Sequence, residues 1–391
     1  MKILVVSSKY HPEYSGSGLR AHNTYMRLKK NYNIEFDILS NSIMHKRNKK
    51  YIHEGIDITR ISQPFKIPHK KSMWRNVLIV IGIIWEVFFS WKFIRKKINR
   101  YDLLHTFGNT YTIGFLTWYF EKKNKPIIRE LCNDMDNPLY PIIAKNYMSS
   151  IFKKKNTLII AISKRLESLA KKFDIKNIWY RPNPVNENFN LVDHKKKYFL
   201  RNKLTKFSQQ DIVLTLVANF IDRKNQVFAL DVLNLLPKEF KLILAGPLKN
   251  ENNSYYQMLL RKIDSLGLNS RIDIKTGFVN NFDEYLKCSD VFLFPSKAEG
   301  LGTPLLESQA CGIPVVSNYI RDITDIVIKK EEGGYYLDLD QKIWAETIYK
   351  VLKIPREVLA NNAKYIKSIC SSKLIDEEYY KRISKLISNE S

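Results

Sequence analysis

Hydrophobic positions along this chain switch between two spacings, and the switching predicts an architecture. Short apolar runs recur at KILVVSS (2 to 8), EFDILS (35 to 40), IDITRIS (56 to 62), DLLHTF (102 to 107), PIIREL (126 to 131) and TLIIAIS (157 to 163). Each is strand-length and rich in Val, Ile and Leu, and helical spacing fills the segments between them. Strand and helix in alternation predict a parallel sheet covered by helices on both faces. The scheme then repeats with VLTLVAN (213 to 219), KLILAGP (241 to 247), a strand near 271 to 277, VFLFPS (291 to 296) and PVVS (314 to 317). Between the two halves, RPNPVNENF and the charged DHKKK (193 to 197) break the pattern, placing a linker near 182 to 200. The expectation is an α/β protein of two domains, 1–185 and 200–371. The final segment KLIDEEYYKRISKLIS again has helical spacing.

One segment departs from the surface-helix pattern. Residues 73 to 94, MWRNVLIVIGIIWEVFFSWKFI, are apolar around most of a helix's circumference and run into RKKINR. Such a helix is either buried in protein or in contact with lipid. Glu86 interrupts it, and the uninterrupted stretch is short beside the ~20 residues a span needs. Trp74, Trp85 and Trp91 with flanking cations suit the membrane interface. Burial inside the first domain is the competing expectation.

Charge adds a second asymmetry. Of 64 Lys+Arg and 39 Asp+Glu, residues 1 to 190 hold 34 and 14, a net +20. The remainder hold 30 and 25, a net +5. The excess in the first half implies an anionic partner there, such as a membrane, an anionic acceptor or nucleic acid, unless it reflects general Lys enrichment. Hydrophobic content of 45% excludes a disordered chain. Four cysteines (132, 288, 311 and 370) form neither a CxxC pair nor a metal spacing, and no signal peptide is evident. A reduced, cytoplasmic setting is therefore expected.

The chemistry concentrates in EGLGTPLLE (299 to 307), directly after the VFLFPS strand. Thr303 reads as a helix N-cap, Pro304 suits the first helical position, and Gly312 with Pro314 closes the helix. Strand, glycine loop and helix N-terminus together offer bare amides and a positive dipole to an anion such as a diphosphate. Glu299 and Glu307 stand on either side, able to accept hydrogen bonds from sugar hydroxyls. An ordinary capped helix with two solvated glutamates would also read this way.

With its surroundings, VFLFPSKAEGLGTPLLESQACGIPVVS resembles the C-terminal half of retaining glycosyltransferases of the GT-B fold, family 4. MKILVVSSKYHPEYSGSG, AISKRLESLA, YRPNPVNENF, VANFIDRKNQ, LILAGP and TGFVNNFDEYL are similar to further landmarks of that family, in its order. The resemblance implies two Rossmann-like domains facing across a cleft, with a helix near 372–391 packing back on the first. It implies that Glu307 holds the nucleotide ribose and Glu299 the transferred sugar. Gly300, Leu301, Gly302 and Thr303 would meet sugar and diphosphate, and Lys224 and Arg223 would neutralise the diphosphate. Backbone around Val279 would meet the base, and Gly16 and Gly18 would approach the donor from the first domain. The chain departs from the family at Asn219, where an arginine is frequent, at Ser17 within the N-terminal glycines, and at Cys132, where many members carry a histidine. His105 and His22 are the other histidines weighed for that role.

The expected activity is transfer of a sugar from a nucleotide sugar, read as UDP-linked, to a glycan or lipid-linked acceptor at the inner membrane face. Neither cofactor nor metal is required, since fixed cations neutralise the phosphates and no Asp-x-Asp stands out. An epimerase or phosphorylase on the same fold is the alternative. GSGLRA (16 to 21) matches the dinucleotide fingerprint GxGxxA, but KYHPEYS separates it from its strand and no acid closes the second strand. A nucleic-acid-binding role finds no base-reading motif.

Overall fold

The computed structural model describes residues 1–13, 15–42, 47–65, 73–131, 150–248, 252–277 and 281–388. The chain divides into two compact units, Met1–Arg181 with Lys373–Ser391 and Pro182–Ser372. In the first, β1 (Lys2–Ser7), β2 (Glu35–Ser42), β3 (Lys49–His53), β4 (Ile56–Ser62), β5 (Leu103–Phe107), β6 (Ile127–Leu131), β7 (Thr157–Ala161) and β8 (Ile178–Tyr180) form one sheet. Its order is β3-β4-β2-β1-β5-β6-β7-β8. All pairings are parallel except β3 with β4, a hairpin at the edge. Helices of this unit include α1 (Gly16–Tyr32), α2 (Met73–Ile94), α3 (Tyr111–Lys122) and α4 (Lys164–Lys172).

In the second unit, β9 (Ile212–Val217), β10 (Phe240–Gly246), β11 (Ile272–Thr276), β12 (Val291–Phe294), β13 (Val315–Asn318) and β14 (Gly334–Leu337) run parallel in the order β11-β10-β9-β12-β13-β14. Helices α5 (His194–Leu204), α6 (Gln226–Leu235), α7 (Ser254–Ser265), α8 (Phe282–Lys287), α9 (Thr303–Ala310), α10 (Thr324–Val327), α11 (Gln341–Leu352) and α12 (Arg356–Cys370) surround the sheet. The last helix, α13 (Ser372–Ser388), belongs to the first unit from Lys373 onward.

The strand runs fold as strands because parallel sheets are buried on both faces and accept continuous Val, Ile and Leu. Ile3, Leu4, Val5 and Val6 are wholly buried, as are Val291, Phe292 and Leu293. Every strand read from the sequence is present, with its ends moved by at most two residues. Three others, β3, β8 and β14, carry lysine, tryptophan or paired tyrosines and lie at or beside sheet edges, where apolar runs are not required.

In the second unit the strand order, counted along the chain, is 3-2-1-4-5-6, that of a dinucleotide-binding sheet. The winding direction reverses between β9 and β12. Loops leaving the carboxyl ends of those two strands therefore diverge and leave a crevice, where ligands of such sheets bind. The β1–β5 pair is the matching reversal in the first unit.

Candidate active site

Both sequence segments singled out for chemistry leave the β9 and β12 carboxyl ends. After β9 come Asn219, Arg223 and Lys224; after β12 comes the loop carrying Glu299 to Thr303. The loops are tied to one another. The Lys297 amide donates to the Arg223 carbonyl at 2.9 Å, and Lys297 Nζ lies 2.9 Å from both Asp222 carboxylate oxygens. Arg223 also donates to the Ala298 carbonyl.

At the centre, Glu299 is paired with Lys224 and with Arg223, the latter at 3.1 Å. Lys224 is largely buried and lies 5.6 Å from the Phe294 ring centroid. Burial lowers the pKa of its ammonium, and Glu299 opposes that shift. Two cations thus share one carboxylate, leaving one net positive charge beside the loop.

The loop enters α9 through Gly302, whose φ of 76° is open to glycine at little cost. A Cβ there would stand 2.9 Å from Leu305 Cδ1 and 3.3 Å from Phe294. Thr303 is consequently the first helical residue, and Gly302 rather than Thr303 occupies the cap position. The threonine hydroxyl instead accepts from Asn183 Nδ2 at 2.7 Å. That partner sits in RPNPVNENF, a segment read from the sequence as a linker and as a landmark of the family, without a site role. Among the described residues, the amides of Gly300, Leu301, Gly302 and Thr303 donate to no protein group. They and the helix dipole form an anion-accepting end. Gly312 follows the helix at φ 71°, the left-handed closure its sequence predicts.

Glu307 lies one turn into α9 and is half-buried. Its carboxylate has no hydrogen-bond or ion-pair partner among the described residues. Burial pushes its carboxyl up to about 8, and the Asp283 carboxylate adds to the shift. Asp283 itself is held by Lys287 at 2.8 Å. The Cys311 and Cys370 thiols, each pushed up to about 12 chiefly by burial, also feel Glu307. An unsatisfied carboxyl in such surroundings costs stability and is a candidate for ligand contact.

The remaining sequence candidates are distributed differently. The Asn219 carbonyl accepts from Gln226 Nε2 at 2.9 Å and from the Ile221 amide at 3.0 Å. Gly16 and Gly18 belong to the first unit, at the start of α1. Ser15 caps that helix by accepting from the Gly18 amide at 2.9 Å. A Cβ on Gly18 would meet the Lys9 carbonyl at 2.5 Å, so this glycine serves internal packing, whereas Gly16 opens to solvent. Val279 and Cys132 lie outside the described residues. His105 is wholly buried, bonded to Tyr25 at 2.8 Å and held neutral with its pKa near 3, which makes it a core residue. The neighbouring buried ion cluster carries no signal in the sequence. Glu130 there receives Arg20 Nε at 2.7 Å, Arg181, and Tyr379 at 3.1 Å from the last helix. These partners lie far apart in the chain and carry no motif.

The helix α2 is oriented with its polar side inward. Gly82, Glu86, Ser90 and Ile94 form its buried stripe. Glu86 accepts from Gln63 Nε2 at 2.9 Å and from the Thr112 amide at 3.2 Å. Trp74, Val77, Val80, Ile81, Ile84, Phe88 and Trp91 are exposed, Trp74 at 72% and Ile84 at 63%. Among the described residues, the burial expected as an alternative for this segment is limited to that stripe. By length and composition alone α2 is also sufficient to cross a membrane, with 28% of its most apolar window buried.

The family model of glycosyl transferases group 1 matches residues 197–367. A capsular polysaccharide biosynthesis glycosyltransferase, CapH of Staphylococcus aureus, is 30% identical over 79% of this chain and 78% of its own. The UDP-Gal:alpha-D-GlcNAc-diphosphoundecaprenol alpha-1,3-galactosyltransferase of Escherichia coli is 27% identical over 44% of this chain and 45% of its own. Among solved structures, HepE of Anabaena in complex with UDP and glucose superposes with a TM-score of 0.72 at 14% identity, covering 98% of this chain and 100% of that one. Sucrose-phosphate synthase of Thermosynechococcus elongatus gives 0.77 at 15% identity, covering 99% of each. These structural likenesses identify the GT-B fold.

Proposed function

The chain belongs to the glycosyl transferases group 1 and is a glycosyltransferase, and from that premise we propose that it is a retaining enzyme using a UDP-linked sugar to extend a lipid-linked glycan at the inner membrane face. The observation that carries the donor assignment is the set Lys224, Arg223, Glu299 and unpartnered Glu307 at one sheet reversal. The diphosphate is a stronger ligand for the two cations than a single carboxylate. On donor binding it takes over Lys224 and Arg223, and Glu299 is released toward the sugar hydroxyls. Glu307 accepts from the ribose hydroxyls, and the free amides of 300–303 meet the phosphates. Departure of UDP is then stabilised by fixed positive groups, with no metal needed for charge neutralisation.

The acceptor side of the proposal rests on two supports. The Escherichia coli relative acts on a diphosphoundecaprenol acceptor by its name, and the Staphylococcus aureus relative serves capsule synthesis by its name. Independently, α2 offers tryptophans and aliphatics outward, and Arg95, Lys96 and Arg100 follow it in exposed positions. Cations beside apolar side chains suit an anionic bilayer surface, each contributing roughly 1 kcal/mol before salt screening. The test is calorimetry with UDP, GDP and ADP. The proposal expects UDP to bind most tightly and Lys224→Ala to weaken it at least tenfold. Equal binding of all three nucleotides would refute the UDP assignment.

A further inference from the structure

The first unit holds a second cluster of coordinating groups. We propose that His22, His53 and Glu54 bind a divalent transition-metal ion, zinc by preference, clipping α1 to the β3–β4 hairpin. This is independent of the donor-site reading. His22 projects from α1, His53 ends β3, and Glu54 opens the hairpin turn. One ligand atom from each lies within 4.8 Å of the others. His22 Nε2 stands 3.1 Å from one Glu54 carboxylate oxygen and His53 Nε2 3.7 Å from the other. Tetrahedral zinc with bonds of ~2.0–2.2 Å separates its ligand atoms by roughly 3.3–3.6 Å, so ligand atoms already within 4.8 Å of one another would close by about an ångström at most. Little movement is needed to close the site, and two histidines with one carboxylate leave the fourth position to water.

Two further observations point the same way. Tyr10, itself buried, bonds His22 Nδ1 at 2.6 Å, fixing the ring and directing Nε2 toward Glu54. Metal-bound histidines are regularly oriented by such a partner on the other nitrogen. His11 stacks on His53 at 3.8 Å with the rings 7° from parallel, which restrains the second ligand. The turn residue is also unusual. Glu54 at φ 50° and Gly55 at φ 71° make a two-residue hairpin turn in which both residues are left-handed. Asn or Asp is the favoured first residue there, so a longer carboxylate is a conformational cost that ligation would offset.

The test is titration of chelator-treated full-length protein with zinc and, separately, cobalt. One equivalent of zinc is expected to bind and raise the melting midpoint, and cobalt to give the intense visible bands of tetrahedral coordination. Glu54→Gln and His53→Ala, both at the hairpin end, should each weaken binding at least tenfold with an unchanged circular dichroism spectrum. Tyr10→Phe should weaken it about tenfold, as loss of an orienting partner does. No saturable zinc binding by the parent, or unchanged binding in both ligand variants, would overturn the proposal. Octahedral rather than tetrahedral cobalt bands would overturn the assignment of zinc geometry.

Discussion

Replacing Glu307 by glutamine should stabilise the protein at high pH while impairing its use of nucleotide. The carboxyl has a folded-state pKa of about 8 against an ordinary value of 4.5. The folded state therefore holds the proton more tightly than the unfolded state. Its contribution to stability is complete below the unfolded value and is lost as pH rises through about 8. Full ionisation would cost at most (8 − 4.5) × 1.36, or ~5 kcal/mol. Glu307 is only half-buried, and solvent reaching it should reduce the cost to roughly 1–3 kcal/mol. Glutamine keeps the shape and cannot ionise. For a unit of this size, 1 kcal/mol moves a melting midpoint by roughly 2–4 °C. Glu307→Gln should then match the parent at pH 4, below the unfolded value, and melt about 2–12 °C higher at pH 9. With UDP present the ranking should reverse, because a carboxylate accepts from both ribose hydroxyls and an amide accepts less well. Differential scanning calorimetry from pH 4 to 9, with and without UDP, reads both effects. A midpoint difference that does not change with pH would refute the buried-carboxyl argument. Equal stabilisation of both proteins by UDP would refute the ribose contact.

Lys224→Ala should lower the transfer rate by roughly 10² to 10³, since it removes one fixed donor to the leaving diphosphate, and steady-state kinetics checks this. Glu299→Gln should tighten the binding of UDP itself, by freeing Lys224 and Arg223, yet slow transfer; weaker UDP binding would contradict the charge exchange. Trp74→Ser with Phe88→Ser should leave the unfolding free energy within about 0.5 kcal/mol of the parent, both side chains being largely exposed. The same pair should weaken binding to acidic liposomes, read by flotation, by at least about a hundredfold, given ~1.5–3 kcal/mol for each aromatic buried. Undiminished flotation would remove α2 from the membrane account.

The fold was legible because its evidence is local. Apolar runs such as ILVV and VFLF predict buried parallel strands without knowledge of their neighbours, and RPNP marks the junction by proline alone. The Glu299 to Glu307 stretch was legible for the same reason, as one loop and the helix after it. The cap was misassigned to Thr303 because cap chemistry favours threonine, whereas Gly302 takes the left-handed entry that no side chain tolerates well. What escaped the sequence depends on partners distant along the chain. The Lys224–Glu299 pair joins positions 75 residues apart. Asn183 reaches Thr303 across 120, and Tyr379 reaches Glu130 across 249. The orientation of α2 escaped too. Its sequence is apolar nearly all round, and only the bonds from Gln63 and Thr112 to Glu86 determine which face is turned inward.

The central claim is tested most directly by the anomeric configuration of the product. The enzyme would be incubated with UDP-sugars and a diphospholipid-linked acceptor, and the new linkage read by proton NMR. The account predicts transfer from at least one UDP-sugar, with the donor's anomeric configuration kept in the product. An inverted linkage would contradict the retaining assignment, and transfer from another nucleotide's sugars alone would contradict the donor assignment.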